Sequence, residues 1–295
     1  MADAVLDGAV TPASKSAAAH GRRHGAGRWL ILGLVTLGLL ATLFPFFLTV
    51  INAIKTSAEY ASNGPLALPR GIDLVQILKF WDLSDYSRKL LNSVIISGCV
   101  AVFGVILSTL NAYAIGIGKV KGSRAILVIL LLGIMVPQES IVYPLYYMAK
   151  SVGIYDTQLA VIIVFAVIQS AFGTYLLSSV LASFPREIIE AADIDGANRW
   201  QVLWFVVIPV LRPTLMVIGT FFFIWTWNEF LIPLVLLVSN NNQTVSLAMG
   251  LTRGQNLSDP VLQAAASLLG IAPTIIFFLI FQRTLTRGVA VGSVK

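Results

Sequence analysis

Residues 190–209 read EAADIDGANRWQVLWFVVIP, a short polar stretch set between two long apolar runs. Before it, Thr157 to Pro185 holds 29 residues without a charge, and after it Pro213 to Val238 is long enough to cross a bilayer. The stretch carries Glu190, Asp193, Asp195 and Arg199, with Arg186 and Glu187 just upstream. Pro185 suits the first turn of a helix, where a missing N–H leaves nothing unpaired. Glu187 and Glu190 lie toward the positive end of that helix. Gly196 is placed to stop it in a left-handed conformation. Asn198 is placed to cap a second helix, with Gln201 three residues on returning the bond. Pro209 and Pro213 punctuate the entry to the next apolar run. The pattern predicts a helix, a glycine turn and a second short helix over 185–209, held at a membrane face.

Composition sets the class. Of the 295 residues 57% are hydrophobic and only 12% charged, and the mean hydropathy is +0.85. A soluble domain of this length needs far more polar surface. The expected fold is all-α, a polytopic membrane protein of six transmembrane helices, because helices satisfy their own backbone in lipid. The charge-free or nearly charge-free runs place the spans at about 29–54, 90–117, 125–147, 158–183, 213–238 and 261–282. Residues 1–28 read as a flexible basic tail, and 29–295 as the membrane domain. The first run is too long for a signal-peptide core, and Pro45 is an expected kink within it. Ser93, Ser97, Gly98, Ala101, Gly104 and Ser108 suggest close helix packing along the second span. Pro137-Gln138-Glu139 interrupts the third. The segments 53–89 and 239–260 read as polar connectors.

The net charge of +6 bears first on topology. Six spans put both termini on one side. Lys15, Arg22, Arg23, Arg28, Lys119, Lys121, Arg124, Arg186, Arg199, Arg212, Arg283, Arg287 and Lys295 fall there, thirteen in all. Lys55, Arg70, Lys79, Arg88, Lys89, Lys150 and Arg253 fall on the other side, seven in all. Basic loops stay cytoplasmic, so both termini and the Glu190 segment are expected in the cytoplasm of a bacterial cell membrane protein. The basic residues are dispersed, and no nucleic-acid module is present.

The chain offers little chemistry of its own. It has no Gly-x-x-x-x-Gly-Lys-Ser/Thr, so no phosphate loop for ATP, and no His-Glu-x-x-His or Gly-x-Ser-x-Gly. Cys99 is the sole cysteine, which excludes an internal disulfide and a cysteine metal site. His20 and His24 lie in the tail. The sequons Asn242-Gln243-Thr244 and Asn256-Leu257-Ser258 carry little weight in a bacterial protein. No catalytic residue, metal site or resident cofactor is expected. Two carboxylates do fall within apolar runs, Glu139 and Glu229, and intramembrane charge is costly and usually functional. Counting from Pro213, Glu229 lies roughly 24 Å along a ~30 Å core, in its outer part. Trp225, Trp227, Asn228 and Glu229, with Gln138 and Glu139, combine apolar faces with hydrogen-bonding groups, as a path for a polar solute requires. Tryptophan belts and helix-to-helix bonding explain the same residues without a path.

Glu-Ala-Ala, three residues, Gly196 and the hydrophobic stretch ending Ile208-Pro209 resemble the cytoplasmic loop of ABC importer permeases. Further stretches resemble the carbohydrate branch of that family, the maltose and multiple-sugar type. They are LLNSVIISGCVAVFGVILSTLNAYAIG, VPQESIVYPLYYMAKSVGIYDT, FGTYLLSSVLASFPREIIEAADIDGA, TWNEFLIPLVLL and the ending FQRTLTRGVAVGSVK. The likeness covers roughly residues 30–295. It implies a permease subunit that pairs with a homologous permease, two ATPase subunits and an extracytoplasmic sugar-binding protein. ATP and Mg would be bound by the partner ATPase, and membrane lipid would surround the spans. It implies that the helix containing Ile188, Glu190, Ala191 and Ala192, with Asp195 and Gly196 after it, couples to the ATPase. It also implies that a loop in 239–260 faces outside toward the binding protein. A permease for another polar solute, such as a glycerol phosphate, and a membrane scaffold without transport are the alternatives.

Overall fold

The computed structural model describes residues 26–118, 120–255 and 259–292. Most of the predicted basic tail, Lys119, the sequon at Asn256 and the last three residues therefore lie outside the described residues. Among those described there is no β-strand.

The chain falls into two units, one ending at Phe46 and one running on from Phe47. The first is the body of α1 (Ala26–Ala53), whose stretch Trp29–Ala53 carries no charge and is long enough to cross a membrane. Ala26, Gly27 and Arg28 belong to this helix rather than to a tail.

The second unit starts with the end of α1 and two helices where a polar connector was expected, α2 (Ser57–Asn63) and α3 (Val75–Leu83). Thr56 caps α2 by accepting from Glu59 N–H at 3.0 Å. Lys55, counted above as a loop charge, is fully buried, with Nζ donating to Asn52 Oδ1 at 2.8 Å and Gly64 O at 3.2 Å. α4 (Tyr86–Gly116) begins four residues before the expected second span, so Arg88 and Lys89 lie on a helix. α5 (Ser123–Met135) and α6 (Gln138–Val152) replace a single third span and meet at 98°. Pro137 causes the bend: it has no N–H to continue the ladder, and it drives Val136 out of the helical region, to φ −70° and ψ 123°. α7 (Gln158–Ala182) matches the expected fourth span, with Thr157 accepting from Ala160 N–H at its start.

α8 (Arg186–Ile194) follows, then α9 (Arg199–Gln201), a π-helical segment (Val202–Val207) and α10 (Ile208–Asn228). The last three form one continuous helix, Arg199–Asn228. The fifth span therefore starts before Pro213 and ends before Val238, and no separate second polar helix exists. Pro209 does not break it, because the segment upstream widens to π spacing and Ile208 N–H bonds to Leu203 O, five residues back. The helix stops at Glu229 (φ −72°, ψ 134°). A helix continuing onward would need an N–H at Pro233 to meet the Glu229 carbonyl, and proline has none. α11 (Leu231–Leu236) is a short continuation after the break.

The expected loop at 239–260 is largely helical and tucked in. Asn240–Asn242 form a 3₁₀ turn, α12 (Val245–Gln255) follows, and Gln243, Thr244, Val245 and Leu247 are buried. Its polar groups are satisfied from distant parts of the chain. Asp156 accepts from Val238 and Ser239 N–H, both at 2.9 Å, and from the Ser239 hydroxyl. Asn92 Nδ2 donates to Asn241 O and Gln243 O, Gln158 Nε2 to Asn92 Oδ1, and fully buried Lys89 to Asn240 Oδ1 at 2.7 Å. α13 (Pro260–Gly292) closes the chain.

Three apolar clusters hold this unit together. One joins Ile96, Val100, Phe165, Ile232 and Leu247. A second joins Ala112, Leu177, Leu181, Leu203, Leu211 and Phe222, with Ile189 and Ala192 against it. The third gathers Phe80, Tyr86, Trp227, Val245 and Leu262. α4 approaches α7 closely at Ser108 and Gly173, where a Cβ on Gly173 would collide with Ser108, and α10 at Gly104, where a Cβ would sit 2.8 Å from Phe222. Gly98, also read as a packing residue, faces open space.

Among the described residues, five helices are long and apolar enough to cross a membrane, and α5 with α6 makes a sixth if the bent pair is one crossing. The pair runs between opposite ends of this unit. Ser123 and Arg124 at its start share a groove with α8, whereas Ala149 and Ile154 at its finish pack with Leu236 near the start of α7.

Candidate functional site

Two places collect the residues singled out from sequence. The first is α8 and its turn. Pro185 sits just ahead of the helix, at φ −59° and ψ 121°, and Glu187 lies in the first turn. Gly196 adopts φ +76°, and the helix end closes with Gly196 N–H to Asp193 O and Ala197 N–H to Ala192 O at 3.0 Å. Asn198 Oδ1 accepts from Trp200 and Gln201 N–H, and Gln201 Oε1 returns the bond to Asn198 N–H at 2.8 Å. The turn chemistry is the one the sequence predicts.

The faces of α8 divide into an inward and an outward set. Ile189 and Ala192 pack inward on the core that holds Leu203 and Leu181. Ile188 and Ala191 are exposed, as are Asp195 and Gly196, and Ile194 is 86% exposed. Of the residues expected to couple, Ala192 is thus an inward anchor, whereas Ile188 and Ala191 face outward. Ile189 and Ile194, passed over in the sequence, take the inner and outer roles. Their i, i+3 and i, i+4 spacings to Ala192 and Glu190 were the available signal. Glu190 and Asp193 line a groove of about 1220 Å³ with Arg124, Arg186, Arg199 and Tyr113. Tyr113 OH donates across it to Arg199 O at 3.0 Å. Glu190 thus lies among arginines of its own chain.

The second place is a cavity of about 250 Å³ lined by Gln138, Phe165, Gln169, Trp225, Asn228 and Glu229. Four of the six path residues predicted from sequence meet here. Each arrives by an identifiable local cause. Gln138 opens α6 at the Pro137 bend, Trp225 and Asn228 lie one turn apart on α10, and Glu229 sits at the break that Pro233 enforces. Glu229 Oε1 accepts from Leu231 N–H at 3.2 Å, and Asn228 Nδ2 donates to Ile224 O at 2.8 Å. The depth counted from Pro213 does not hold, because the helix leading to Glu229 begins at Arg199 and Glu229 lies beyond its end.

Trp227 and Glu139 do not line the cavity. Trp227 is 4% exposed and stacks on Phe223 at 5.9 Å with Phe277 beside it, so it is a packing residue. Its neighbour two residues back, Trp225, is exposed and meets Phe172 edge-on at 5.1 Å. Glu139 is exposed on α6.

Gln169 and Phe165 on α7 were missed. Gln169 is 6% exposed, its Nε2 donates to Thr226 Oγ1 at 2.9 Å, and its Oε1 has no hydrogen-bond partner. A buried acceptor left unpaired is costly, and this one lies on the cavity wall. An amide in the middle of an otherwise charge-free span was the signal for it.

The fold and these sites define a multi-pass helical membrane protein with a polar cavity and an exposed helix–turn device at one end. Comparison with known proteins then identifies it. The chain belongs to the family of binding-protein-dependent transport system inner membrane components, whose family model matches residues 101–291. It is 31% identical to the probable ABC transporter permease protein YurM of Bacillus subtilis, over 90% of this chain and 87% of that one. It is 30% identical to the inner membrane ABC transporter permease protein YcjP of Escherichia coli, over 88% and 94%. Similarity at 26% identity extends over 90% of this chain and 96% of the melibiose/raffinose/stachyose import permease protein MelC of B. subtilis. Among solved structures, a chain of a bacterial ABC transporter that imports the acidic polysaccharide alginate shares the fold, with a TM-score of 0.72 at 24% identity, covering 87% of this chain and 96% of that one.

Proposed function

We propose that this chain is a permease subunit of an ATP-driven importer of oligosaccharides. The observation that carries the reading is the cavity between α6, α7 and α10. It sets aromatic faces (Phe165, Trp225) against amide and carboxylate groups (Gln138, Gln169, Asn228, Glu229). A sugar presents apolar C–H faces and a rim of hydroxyls, and this lining matches both. The unpaired Gln169 Oε1 would accept a sugar hydroxyl. The full-length likeness to a melibiose/raffinose/stachyose permease supports the same substrate class. A glycerol phosphate fits less well, because the described lining holds a carboxylate and no Lys or Arg to meet a phosphate.

In this reading α5 and α6 form one broken crossing, the chain spans the cell membrane six times, and both termini and α8 are cytoplasmic. A homologous permease completes the path, an extracytoplasmic binding protein delivers sugar, and two ATPase subunits hold ATP and Mg. The outward face of α8, with Ile188, Ala191 and Ile194, docks on an ATPase. Its inward face, Ile189 and Ala192, is seated on the core beneath α4, α7 and the start of the fifth span. A push on α8 therefore reaches packed helices rather than a loose loop, as rigid-body alternation of access requires.

The test is purification of the tagged chain with its ATPase subunits and a binding screen of the associated binding protein against oligosaccharides and glycerol phosphates. Retention of an oligosaccharide is the expected result. Retention of a phosphorylated solute alone would move the substrate, and absence of an ATPase in the purified complex would remove the transport role.

A further inference from the structure

The broken crossing changes character at its bend. On α5, beyond Arg124, the exposed side chains are Ile126, Val128, Ile129, Leu132, Ile134 and Met135 and others equally apolar, the surface that hydrocarbon accepts. On α6 the exposed surface is mixed: Pro144, Met148 and Val152 are exposed on one side, and a polar and aromatic row lies beside them. Glu139, Tyr143, Tyr147 and Lys150 recur at helical spacing along one side, and all are exposed. Tyr143 is 73% and Tyr147 60% exposed. A carboxylate and an ammonium on a membrane-crossing segment are expensive against hydrocarbon, and tyrosines favour the membrane–water boundary, so this face meets water, headgroups, protein or a polar solute.

The tyrosines are also ordered among themselves. Tyr143 and Tyr147 lie 5.8 Å apart, Tyr147 and Tyr146 5.3 Å in an edge contact, and Tyr146 and Tyr155 5.1 Å. Lys150 Nζ sits 4.6 Å from the Tyr146 ring and 5.1 Å from that of Tyr155, which fixes both rings by cation–π attraction. The result is a run of neighbouring rings, tilted or edge-on to one another, with centroids 5.1–5.8 Å apart. It reaches from the Tyr155 end of α6 toward the residue that opens the same helix, Gln138, on the wall of the cavity.

We infer that this α6 face is a stacking strip for an oligosaccharide in transit: Tyr143 and Tyr147 carry successive sugar rings on their faces, and Glu139 and Lys150 take hydroxyls at either end. The inference rests on the import reading above and adds to it a dependence on chain length. On this inference a disaccharide depends on the cavity lining, whereas a longer glycan also extends along the strip and needs it. Aromatic stacking is non-directional about the ring normal, so the strip guides without holding each unit in one orientation.

The experiment uses the whole complex in proteoliposomes, with saturating binding protein, and two probe series: melibiose, raffinose and stachyose, and maltose, maltotriose and maltotetraose. Replacing Tyr143 and Tyr147 together by Ala is expected to lower maximal tetrasaccharide uptake about tenfold relative to the disaccharide of the same series. Replacing both by Phe, which keeps the ring faces, restores it. In a Cys99→Ala background, Tyr143→Cys and Tyr147→Cys are expected to react with an impermeant thiol reagent in the assembled complex and to be protected during tetrasaccharide transport. Equal slowing at all lengths, or none, overturns the inference. So do cysteines blocked in the complex but reactive in the isolated chain, which would mean that the partner permease covers the face. Reactivity indifferent to sugar, which would mean a face open to headgroups, overturns it as well. A parental complex that imports neither series sinks the import reading itself, and shows it before any tyrosine is changed.

Discussion

Replacing Gly196 by Ala isolates the hinge behind α8. Gly196 holds φ +76°, and a Cβ built there meets nothing within 4 Å. The penalty is therefore conformational alone. A left-handed backbone at a non-glycine residue costs about 1–2 kcal/mol. That is a factor of about 5–30 in the population of the native turn. Asn tolerates this region better than Ala and also fits the open space, so Gly196→Asn should cost less. Gly133→Ala on α5, likewise in open space but without positive φ, is the control. With the complex in proteoliposomes, the expected order of sugar-stimulated ATP hydrolysis is parental and Gly133→Ala highest, then Gly196→Asn, then Gly196→Ala. Membrane insertion should be unchanged throughout. Equal coupling for all four proteins would mean that the turn transmits nothing.

Trp227→Ala should lower the thermal stability of the complex, by about 3–5 kcal/mol for a buried aromatic, whereas Asn228→Ala one residue on should leave the melting transition nearly unchanged and alter uptake. The reverse pattern would exchange their roles. Burial pushes the Asp156 carboxyl up, but the Ser239 hydroxyl, the Ser239 and Val238 N–H groups and the Asn242 amide outweigh it and hold it below the usual carboxylate range. A lowered folded value stabilises above the unfolded pKa of ~3.9 and loses that contribution as pH falls through the folded value. Melting temperature followed downward from neutral pH should therefore fall more steeply below that point for the parental chain than for Asp156→Asn. A cysteine at Ser62 should be labelled from outside intact cells by an impermeant reagent and one at Asn198 should not, and the opposite pattern would invert the orientation.

How far the sequence could be read depended on the range of the forces involved. The α8 turn was legible because a proline, a glycine and an Asn–Gln pair each act within four residues, and every bond they predict is present. The Pro137 break was legible for the same reason, though not its 98° angle. Pro209 misled, because a π-helical segment absorbed a proline that a simple rule treats as a stop. Trp225 and Trp227 look alike in a string of residues, yet two positions on a helix point nearly opposite ways. Which of them is buried depends on Phe223 and Phe277. The 239–255 segment read as a connector because its asparagines and glutamine look like solvated groups. Their partners, Lys89, Asn92 and Asp156, come from up to 151 residues away and were invisible to any local window. Gln169 was hidden differently: a mid-helix amide in a 25-residue apolar helix barely moves a hydropathy average, and only the cavity gives it meaning.

Coupling through α8 is tested most directly by ATP hydrolysis and labelled oligosaccharide uptake followed together in proteoliposomes holding this chain, its partner permease and the ATPase subunits. Sugar-loaded binding protein should stimulate both, and Glu190→Lys on α8 should depress both while leaving the complex in the membrane. Uptake that proceeds without ATP, or a Glu190→Lys complex that transports and hydrolyses at the parental rate, would contradict the assignment of α8 as the element that couples the two.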